Sequence, residues 1–251
     1  MLLYMSSIAV IIPCYNEAAR LKVSDFTGFL KANPSWTIVF VNDGSTDQTA
    51  ALIDQIKREV PTQVSMIHFG RNRGKATAIS EGMLLCLKPE TGQFDYIGYL
   101  DADLSTSLSE ISRIAGIARD QNLDYACGSR IRKLNAVINR SLFRHLTGRV
   151  IATIIDSHFR LGIYDTQCGS KIFRPHLVKI ITERNFCTRW LFDIEIFLRI
   201  NQQSPGAKGE EIPLLAWDSR KGSKLSILQS ISILREITLL VKNYPGKQII
   251  K

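Results

Sequence analysis

The chain of 251 residues lacks the usual signatures of several large protein classes. No Gly-x-Gly-x-x-Gly follows the first apolar run and no Gly-x-x-x-x-Gly-Lys-Ser/Thr occurs anywhere, which argues against a dinucleotide-dependent dehydrogenase and a P-loop enzyme. Zinc-finger spacing, basic repeats and aromatic RNA-binding motifs are also missing, so nucleic acid is not an expected partner. No internal repeat, low-complexity tract or clear linker interrupts the sequence, which favours one domain over residues 1–251.

Cysteine is scarce, and long apolar runs are missing. The cysteines are odd in number, widely spaced and without a Cys-x-x-Cys pair: Cys14, Cys86, Cys127, Cys168 and Cys187. This pattern predicts reduced thiols in a cytosolic protein. The first residues lack the pattern of a secretory signal, and no apolar run approaches the roughly 20 residues that cross a bilayer. If the protein works at a membrane, it is expected to lie on the surface.

Positive charge, by contrast, is in excess. Lys and Arg number 32 against 23 Asp and Glu, which gives a formal net charge of +9. The apolar fraction of 45% is that of an ordinary globular protein. A basic surface attracts phospholipid headgroups and phosphorylated substrates, although a net charge of this size also simply keeps a protein soluble.

The first half of the chain alternates short β-branched runs with helical periodicity. Strands are predicted at Ile8–Pro13, Thr37–Asn42, Val64–Phe69, Tyr96–Leu100 and Tyr125–Gly128, and helices at Glu17–Ala32, Asp47–Val60, Lys75–Leu87 and Leu108–Gln121. The alternation predicts an α/β fold with a Rossmann-like, mainly parallel sheet flanked by helices. Ligands of such sheets bind beyond the carboxyl ends of the strands.

The second half, from about residue 131 to 251, is more helical and more basic. Helices are predicted at Ala136–Leu161, Pro175–Glu183, Trp190–Asn201 and Lys224–Val241, a loop at Gln202–Gly209 and a short strand at Glu211–Ala216. The wide apolar face of the last helix suits either the core or a membrane surface.

Polar loops follow the first four predicted strands and together indicate a nucleotide site: Cys14–Glu17, Asp43–Asp47, Gly70–Lys75 and Asp101–Asp103. Asp101 and Asp103, one residue apart at the end of a buried strand, suit a hard divalent cation that also holds a diphosphate. Taken alone, such a pair more often forms a turn or caps a helix.

Several motifs, in this order and spacing, resemble those of the family 2 glycosyltransferases of GT-A fold: Val10–Glu17, Val41–Asp47, Arg71–Ala76 and Leu100–Leu104. Later motifs resemble those of the polyprenyl (dolichyl) phosphate sugar synthases within that family: Cys127–Arg130, Asp165–Lys171, Arg189–Glu195 and Trp217–Lys224. The resemblance extends from Ile8 to Val241 and implies a nucleotide-sugar-binding half, about 1–130, and an acceptor-binding and closing-loop half, about 131–251.

The resemblance also implies functional residues. Asp103 is expected as the main ligand of Mg²⁺ or Mn²⁺, with Asp101 as the second ligand, nearer the ribose or the sugar. The implied catalytic residues are Asp101, Asp103, Arg130, Asp193, Arg220 and Lys224. The implied substrate-binding residues are Pro13, Tyr15, Glu17, Asp43, Lys75, Asp101, Ala102, Arg130, Arg144, Arg149, Gln167, Trp190 and Asp193.

Some of these assignments have a structural alternative. Tyr15 and Glu17 are expected to pack on and hydrogen-bond a nucleoside, unless Asn16 and Glu17 merely begin a helix. Asp43 is expected to accept a hydrogen bond from a base N–H or a ribose hydroxyl. Gly44 gives its turn conformational freedom. Asp47 is expected to belong to a helix N-terminus, where its charge suits the dipole.

The basic residues are assigned to phosphates. Arg71 and Lys75 steady the nucleotide sugar or are simply solvated, and Arg130 points at its phosphates. Arg144 and Arg149 hold the acceptor phosphate or form an ordinary solvated helix face.

Two further assignments concern the closing loop and the sugar. Arg220 and Lys224 neutralise the leaving group. Asp193 occupies the place where relatives with hydroxyl acceptors keep a base, and is expected to bind sugar hydroxyls. A buried ion pair with Arg189 is its alternative.

The sequence departs from the mannosyl relatives at several positions. Ser105 stands where many of them carry a Gln that joins the metal shell, and Gly148 stands where relatives often have Ser. The compact spacing from Trp217 to Lys224 and the segment Asp165–Gly169 favour the glucosyl branch.

The implied reaction is an inverting transfer of a hexose, from UDP-glucose as first choice, to a polyprenyl or dolichyl phosphate. A phosphate acceptor is already anionic, so positioning and leaving-group stabilisation dominate. The alternatives are a GDP-mannose donor, a hydroxyl acceptor with Asp193 as base, and a silent nucleotide-sugar-binding module. The expected location is the cytoplasmic face of a membrane, peripherally bound, with an integral membrane partner as one means of recruitment.

Overall fold

A seven-stranded mixed sheet forms the centre of the fold in the computed structural model, which describes residues 6–131, 133–134, 136–139, 153–218 and 227–245. The strands are β1 Ile8–Cys14, β2 Trp36–Asn42, β3 Val64–His68, β4 Tyr96–Leu100, β5 Tyr125–Ser129, β7 Ser170–Phe173 and β8 Gly209–Pro213. Their order is β3-β2-β1-β4-β7-β5-β8, and β7 alone among these seven strands runs antiparallel to its neighbours. A separate two-stranded parallel sheet pairs β6 Val137–Asn139 with β9 Ala216–Asp218.

Helices cover both faces of the large sheet. The helices described are α1 Val23–Ala32, α2 Thr49–Glu59, α3 Lys75–Cys86, α4 Leu108–Asp120, α5 at 153–159, α6 Pro175–Thr182, α7 Phe192–Gln203 and α8 Ile227–Asn243. Of these, α5 and α8 pack with α7 in a separate apolar cluster. Among the described residues, no helix combines the length and apolar character needed to cross a bilayer.

Successive side chains of the strands point to opposite faces of the sheet, so the sheet has one apolar layer on each face. In β1, Val10 and Ile12 join one cluster with α1, α2 and α4, whereas Ala9 and Ile11 join a second cluster with α3, α6 and α7. Because successive strand residues point to opposite faces, a strand covered on both faces is apolar throughout. This confirms the predicted parallel α/β architecture of the first half.

Strand β7 inserts between β4 and β5 and was not predicted. Ser170 pairs with Leu100, and the backbone N–H of Asp101 donates to the Gly169 carbonyl at 3.1 Å. The chain therefore passes directly beside the Asp101–Asp103 turn as it enters β7.

Several predicted boundaries were wrong. The helix predicted at Ala136–Leu161 is strand β6 at Val137–Asn139, because the Val137 N–H donates to the Leu215 carbonyl and this edge pairs with β9. Helix appears only at 153–159, and 140–152 lie outside the described residues.

The strand predicted at Glu211–Ala216 is divided between β8 and β9, and the predicted loop at Gln202–Gly209 shrinks because α7 extends to Gln203.

Candidate active site

The loops beyond the carboxyl ends of β1, β2 and β4, together with the loop before α3, line a cleft of about 1550 Å³. The predicted site residues that line it are Pro13, Tyr15, Glu17, Asp43, Lys75, Asp101, Ala102, Asp103, Arg130, Gln167, Trp190 and Asp193. The other predicted site residues lie outside the described part of the chain: Arg144, Arg149, Arg220 and Lys224. The structure thus brings together the residues that the sequence separates by up to 180 positions.

The first two loops are tied to each other. Asn16 has a φ of 54°, and its side-chain oxygen accepts from the Thr46 N–H at 2.9 Å. The Glu17 N–H donates to Thr49 Oγ1 at 2.8 Å, and Asp47 accepts from Thr49 N–H and Ala18 N–H. These bonds replace the helix predicted from Glu17, which begins only at α1, and they confirm that Asp47 lies at the N-terminus of α2.

Asp43 fixes the loop before α3. Its buried carboxylate accepts from the N–H groups of Arg73 at 2.6 Å and Gly74 at 2.8 Å. Gly44 has a φ of 69°, and a Cβ there would overlap the Arg71 backbone, so the turn requires glycine. Asp43 therefore shapes the cleft through backbone contacts that were not predicted, and its contact with a base or ribose stays a prediction.

Asp101 and Asp103 share one tight turn. Asp103 Oδ1 accepts from the Ser105 N–H at 2.9 Å, and Leu104 has a φ of 51°. The cap of α4 is Ser107, whose hydroxyl accepts from the Glu110 N–H. The acidic pair thus forms a turn but does not cap the following helix. Both residues line the cleft.

A lysine neutralises one member of the pair. Lys75 Nζ lies 2.6 Å from Asp101 Oδ1. Loss of hydration would lower the pKa of the Lys75 ammonium, but the Asp101 carboxylate raises that pKa above its ordinary value. Lys75 is therefore a fixed positive charge at the first turn of α3, and Asp101 is already paired before any ligand binds.

Glu17 brings a third carboxylate to this corner of the cleft. Burial raises the pKa of the Glu17 carboxyl, Arg20 opposes the rise, and the negative charges of Asp103 and Asp101 add to it. Glu17 is itself paired with Arg20 at 2.7 Å, and it lies close enough to Asp103 and Asp101 for their charges to act on it.

A divalent cation suits this corner. No group of three or more His, Cys, Asp or Glu side chains forms a complete metal site in the ranges that the structure describes. Mg²⁺ is commonly bound by one or two carboxylates, with the remaining ligands from phosphates and water. The residues present, Asp101 and Asp103 with Ser105 beside them, fit an ion that a diphosphate helps to hold.

The approach of Gly169 determines where Asp101 lies. A Cβ at residue 169 would overlap both oxygens of the Asp101 carboxylate. Only glycine lets the chain that leads into β7 pass this close to Asp101, which explains Gly169 within the Asp165–Lys171 motif.

Gly169→Ala is expected to displace the Asp101 carboxylate and to lower the rate of the hexose transfer that the motifs imply by roughly a hundredfold, because a misplacement of about 1 Å costs this much. Steady-state kinetics with saturating donor measure the effect. Gly116→Ala on α4 is the matched control, since a Cβ there meets nothing within 4 Å. A Gly169→Ala enzyme with the wild-type rate would show that the position of Asp101 is unimportant.

Arg130 lines the cleft and is held there by an acid. Its Nε and one terminal nitrogen each bind Asp165 at 2.7 Å, and its guanidinium lies 5.4 Å from the Trp217 ring. Glu211 in turn accepts from the N–H groups of Tyr164 and Asp165. Burial would lower the pKa of the Arg130 guanidinium, but the bonds to Asp165 raise that pKa above its ordinary value. Arg130 therefore stays charged. Its predicted contact with phosphates stays a prediction.

Asp193 is buried and paired, but not with Arg189. Lys171 Nζ lies 2.5 Å from Asp193 Oδ1, and the Tyr99 hydroxyl donates to the same oxygen. The expected alternative partner, Arg189, lies beside Gly74 instead. Sequence reasoning missed Lys171 as the partner of Asp193, because the strand Ser170–Phe173 is short and half polar and gives no local signal.

Gln167 and Trp190 offer ligand contacts on the cleft wall. The Gln167 amide nitrogen is buried and has no hydrogen-bond partner among the described residues, so a water molecule or a ligand is needed to satisfy it. The Trp190 side chain is 44% exposed. Its backbone N–H and that of Leu191 donate to the buried Glu236 on α8, so the last helix holds this wall in place.

A second buried network supports the wall at 183–189. Arg199 donates to the carbonyls of Ile181, Arg184 and Asn185, and binds Glu195 at 2.8 Å. Burial would raise the pKa of the Glu195 carboxyl, but bonds from Arg199 and Tyr244 lower it. Sequence reasoning missed this network, because it joins distant residues such as Glu195 and Tyr244, which are 49 positions apart.

The mixed, mainly parallel sheet flanked by helices is the GT-A fold. Glucosyl-3-phosphoglycerate synthase from Mycobacterium tuberculosis, solved with Mn²⁺, UDP-glucose and phosphoglyceric acid, shares the fold with a TM-score of 0.70 at 14% identity, covering 97% of this chain and 82% of that one.

Sequence comparison narrows the class further. The model of glycosyl transferase family 2 matches residues 9–179, and the chain belongs to this family. Dolichyl-phosphate beta-glucosyltransferase from Saccharomyces cerevisiae is 31% identical over 258 residues, covering 94% of this chain and 75% of the relative. The enzyme of the same name from Dictyostelium discoideum is 28% identical over 256 residues, covering 94% and 74%. The chain is therefore a family 2 glycosyltransferase, and dolichyl-phosphate beta-glucosyltransferases are among the proteins it resembles.

Proposed function

We propose that the chain transfers glucose from UDP-glucose to a polyprenyl or dolichyl phosphate with inversion at the anomeric carbon. The observation that carries this proposal is the state of Asp193. One of its oxygens already accepts from both Lys171 and Tyr99, which suits a residue that binds sugar hydroxyls better than a general base. An acceptor phosphate needs no base. The names of the relatives, which specify dolichyl phosphate and a β-glucosyl product, support the same choice.

The reaction forms one bond and breaks one. An oxygen of the acceptor phosphate attacks the anomeric carbon, while the bond from that carbon to the UDP oxygen breaks and its electron pair leaves with UDP. No proton has to move for this exchange. Catalysis then depends on holding the two reactants in line and on stabilising the charge of UDP.

The residues divide this work. Tyr15, Glu17 and Asp43 bind the nucleoside, while Gln167 and Asp193 bind the sugar. Asp103 and Asp101 would hold Mg²⁺ or Mn²⁺, which would supply Lewis-acid stabilisation of the diphosphate leaving group.

Basic residues complete the proposed site. Lys75 and Arg130 add positive charge on the side of the cleft where the diphosphate lies. Arg144 and Arg149 receive the acceptor phosphate, and Arg220 and Lys224 close over the donor; these roles rest on the resemblance of their motifs.

We also propose that the enzyme works at a membrane surface, because the acceptor carries a long hydrocarbon tail. The net charge of +9 suits anionic headgroups. The apolar face of α8 serves two surroundings. Ile233 and Leu240 are buried in the core, whereas Leu234 is 61% and Leu239 40% exposed. The exposed residues are available for contact with lipid. The cytoplasmic face and an integral membrane partner stay predictions.

Asp193→Asn tests the class of acceptor. With a phosphate acceptor the variant is expected to weaken donor binding about tenfold while kcat falls less than tenfold, because the transfer needs no base. The variant also leaves the buried Lys171 ammonium without its counter-charge, so both constants are measured on protein that circular dichroism shows to be folded. Separate measurement of kcat and of the UDP-glucose KM distinguishes the two effects. Near-complete loss of kcat would instead identify Asp193 as a base and favour a hydroxyl acceptor.

The proposal as a whole is tested by UDP release from UDP-glucose. Release is expected to depend on an added polyprenyl phosphate and to match the amount of glucosylated lipid formed.

A further inference from the structure

A buried cluster below the cleft joins two strands of the sheet to the helix that carries Asp193. Tyr99 lies on β4, Lys171 on β7 and Asp193 on α7. Lys171 is fully buried, and Asp193 is 3% exposed. The Lys171 ammonium donates to Asp193 Oδ1 at 2.5 Å and to the Cys168 carbonyl at 2.6 Å, and the Tyr99 hydroxyl donates to the same Asp193 oxygen.

Stability alone does not explain a buried lysine here. Its ammonium lies 5.3 Å from the centre of the Tyr99 ring and 5.8 Å from that of Phe197, in surroundings that an apolar side chain would also fill. Replacing a buried ion pair by apolar residues is often neutral or stabilising. The charge therefore needs a reason that lies in the cleft above it.

The geometry supplies such a reason. Two donors from different strands meet at Oδ1 of Asp193, so the carboxylate plane cannot rotate freely. Asp193 also lines the cleft, so a ligand hydroxyl has to bind the remaining oxygen, whose direction is then fixed. Two bonds made below the cleft thus determine an interaction made within it.

We propose that Lys171 and Tyr99 are positioning residues that orient the Asp193 carboxylate toward the sugar of the donor. This inference rests on the proposed function, because it assumes a nucleotide-sugar donor. It extends the site to two residues that do not contact the substrate themselves and that act only through Asp193.

The test compares the binding of UDP-glucose with that of UDP. Tyr99→Phe removes one bond to Asp193 and keeps the ring, and Lys171→Met removes the ammonium and keeps much of its volume. In titration calorimetry with Mg²⁺, UDP-glucose is expected to bind about fivefold more weakly to Tyr99→Phe and at least about tenfold more weakly to Lys171→Met. The affinity for UDP, which lacks the sugar, should stay within about twofold.

Tyr96→Phe is the matched control. Tyr96 lies on the same strand, and its buried hydroxyl donates to the carbonyls of Ala118 and Leu123, away from the cleft. The control should lower thermal stability without changing the ratio of the two affinities. In the Asp193→Asn background, Lys171→Met should add no further loss in the affinity for UDP-glucose.

Two results would overturn the positioning role. One is an unchanged affinity for UDP-glucose in Tyr99→Phe, and the other is a parallel loss of UDP and UDP-glucose binding in both variants. Tyr99→Phe decides the question if Lys171→Met does not fold. If the wild-type protein binds GDP-mannose instead of UDP-glucose, the proposed donor is wrong, and the same ratio measured with GDP-mannose and GDP decides on Lys171 and Tyr99.

Discussion

Asp103→Asn is expected to lower the rate of glycosyl transfer by about 10²–10³-fold, the cost of removing a group that stabilises the developing charge of a leaving group. Asparagine keeps an oxygen that can accept from the Ser105 N–H, so the turn should survive. What the variant loses is a negative charge at the corner shared with Asp101 and Glu17. The loss therefore reports on the bound cation and not on the fold.

Two measurements support this test. The kcat at saturating UDP-glucose and Mg²⁺ gives the rate, and Mn²⁺ binding followed by electron paramagnetic resonance gives the affinity for metal directly. Asp120→Asn is the control, because Asp120 is 67% exposed and pairs only with its neighbour Arg119 among the described ion pairs. An Asp103→Asn enzyme with more than a tenth of the wild-type rate would contradict the assignment of Asp103 as main metal ligand.

Arg199→Met is expected to lower the free energy of unfolding by about 3–5 kcal/mol, the usual cost of breaking a buried ion pair by removing one partner. The substitution leaves the Glu195 carboxylate, which is 1% exposed, without its positively charged partner. It also removes the donor to three backbone carbonyls around residues 181–185. Because this wall lines the cleft, donor binding should weaken as well.

Urea unfolding followed by circular dichroism measures the effect. A lower urea concentration at the midpoint, with an unchanged dependence of the unfolding free energy on urea, shows the loss of stability. Arg119→Met is the control, since Arg119 is half exposed and its ion pair with Asp120 contributes little. A loss below about 1 kcal/mol would show that the Arg199 network does not hold the wall.

The parts of the fold that the sequence predicted are those set by local pattern. Strands β1 to β5 were predicted within one or two residues, because each is an apolar run bounded by turn residues. The rule that ligands bind beyond the carboxyl ends of parallel strands correctly predicts that Tyr15, Asp43 and Asp101 line one cleft.

The parts that it could not predict depend on contacts between distant residues. Strand β7 has only four residues and contains Lys171, so its antiparallel position between β4 and β5 has no local signal. The pairing of Val137 with Ala216 likewise overrode a helical pattern.

The same limit applies within the site. That Asp193 belongs to the cleft followed from its motif, but its partner could be identified only from the packing of β7 against α7. Glu236 reaches the backbone at Trp190 and Leu191 from 45–46 residues away. Such contacts are specified by the assembled fold and by no segment alone.

The central claim is that this family 2 glycosyltransferase makes a β-linked glucosyl phosphate lipid from UDP-glucose. The most direct test incubates the purified protein with Mg²⁺ or Mn²⁺, a short polyprenyl phosphate and, in turn, UDP-glucose, UDP-galactose, UDP-N-acetylglucosamine and GDP-mannose, and analyses both the nucleotide and the lipid. The account predicts UDP release from UDP-glucose, equal in amount to a β-glucosyl phosphate lipid. GDP release from GDP-mannose with a mannosylated lipid, or nucleotide release without any lipid product, would contradict it.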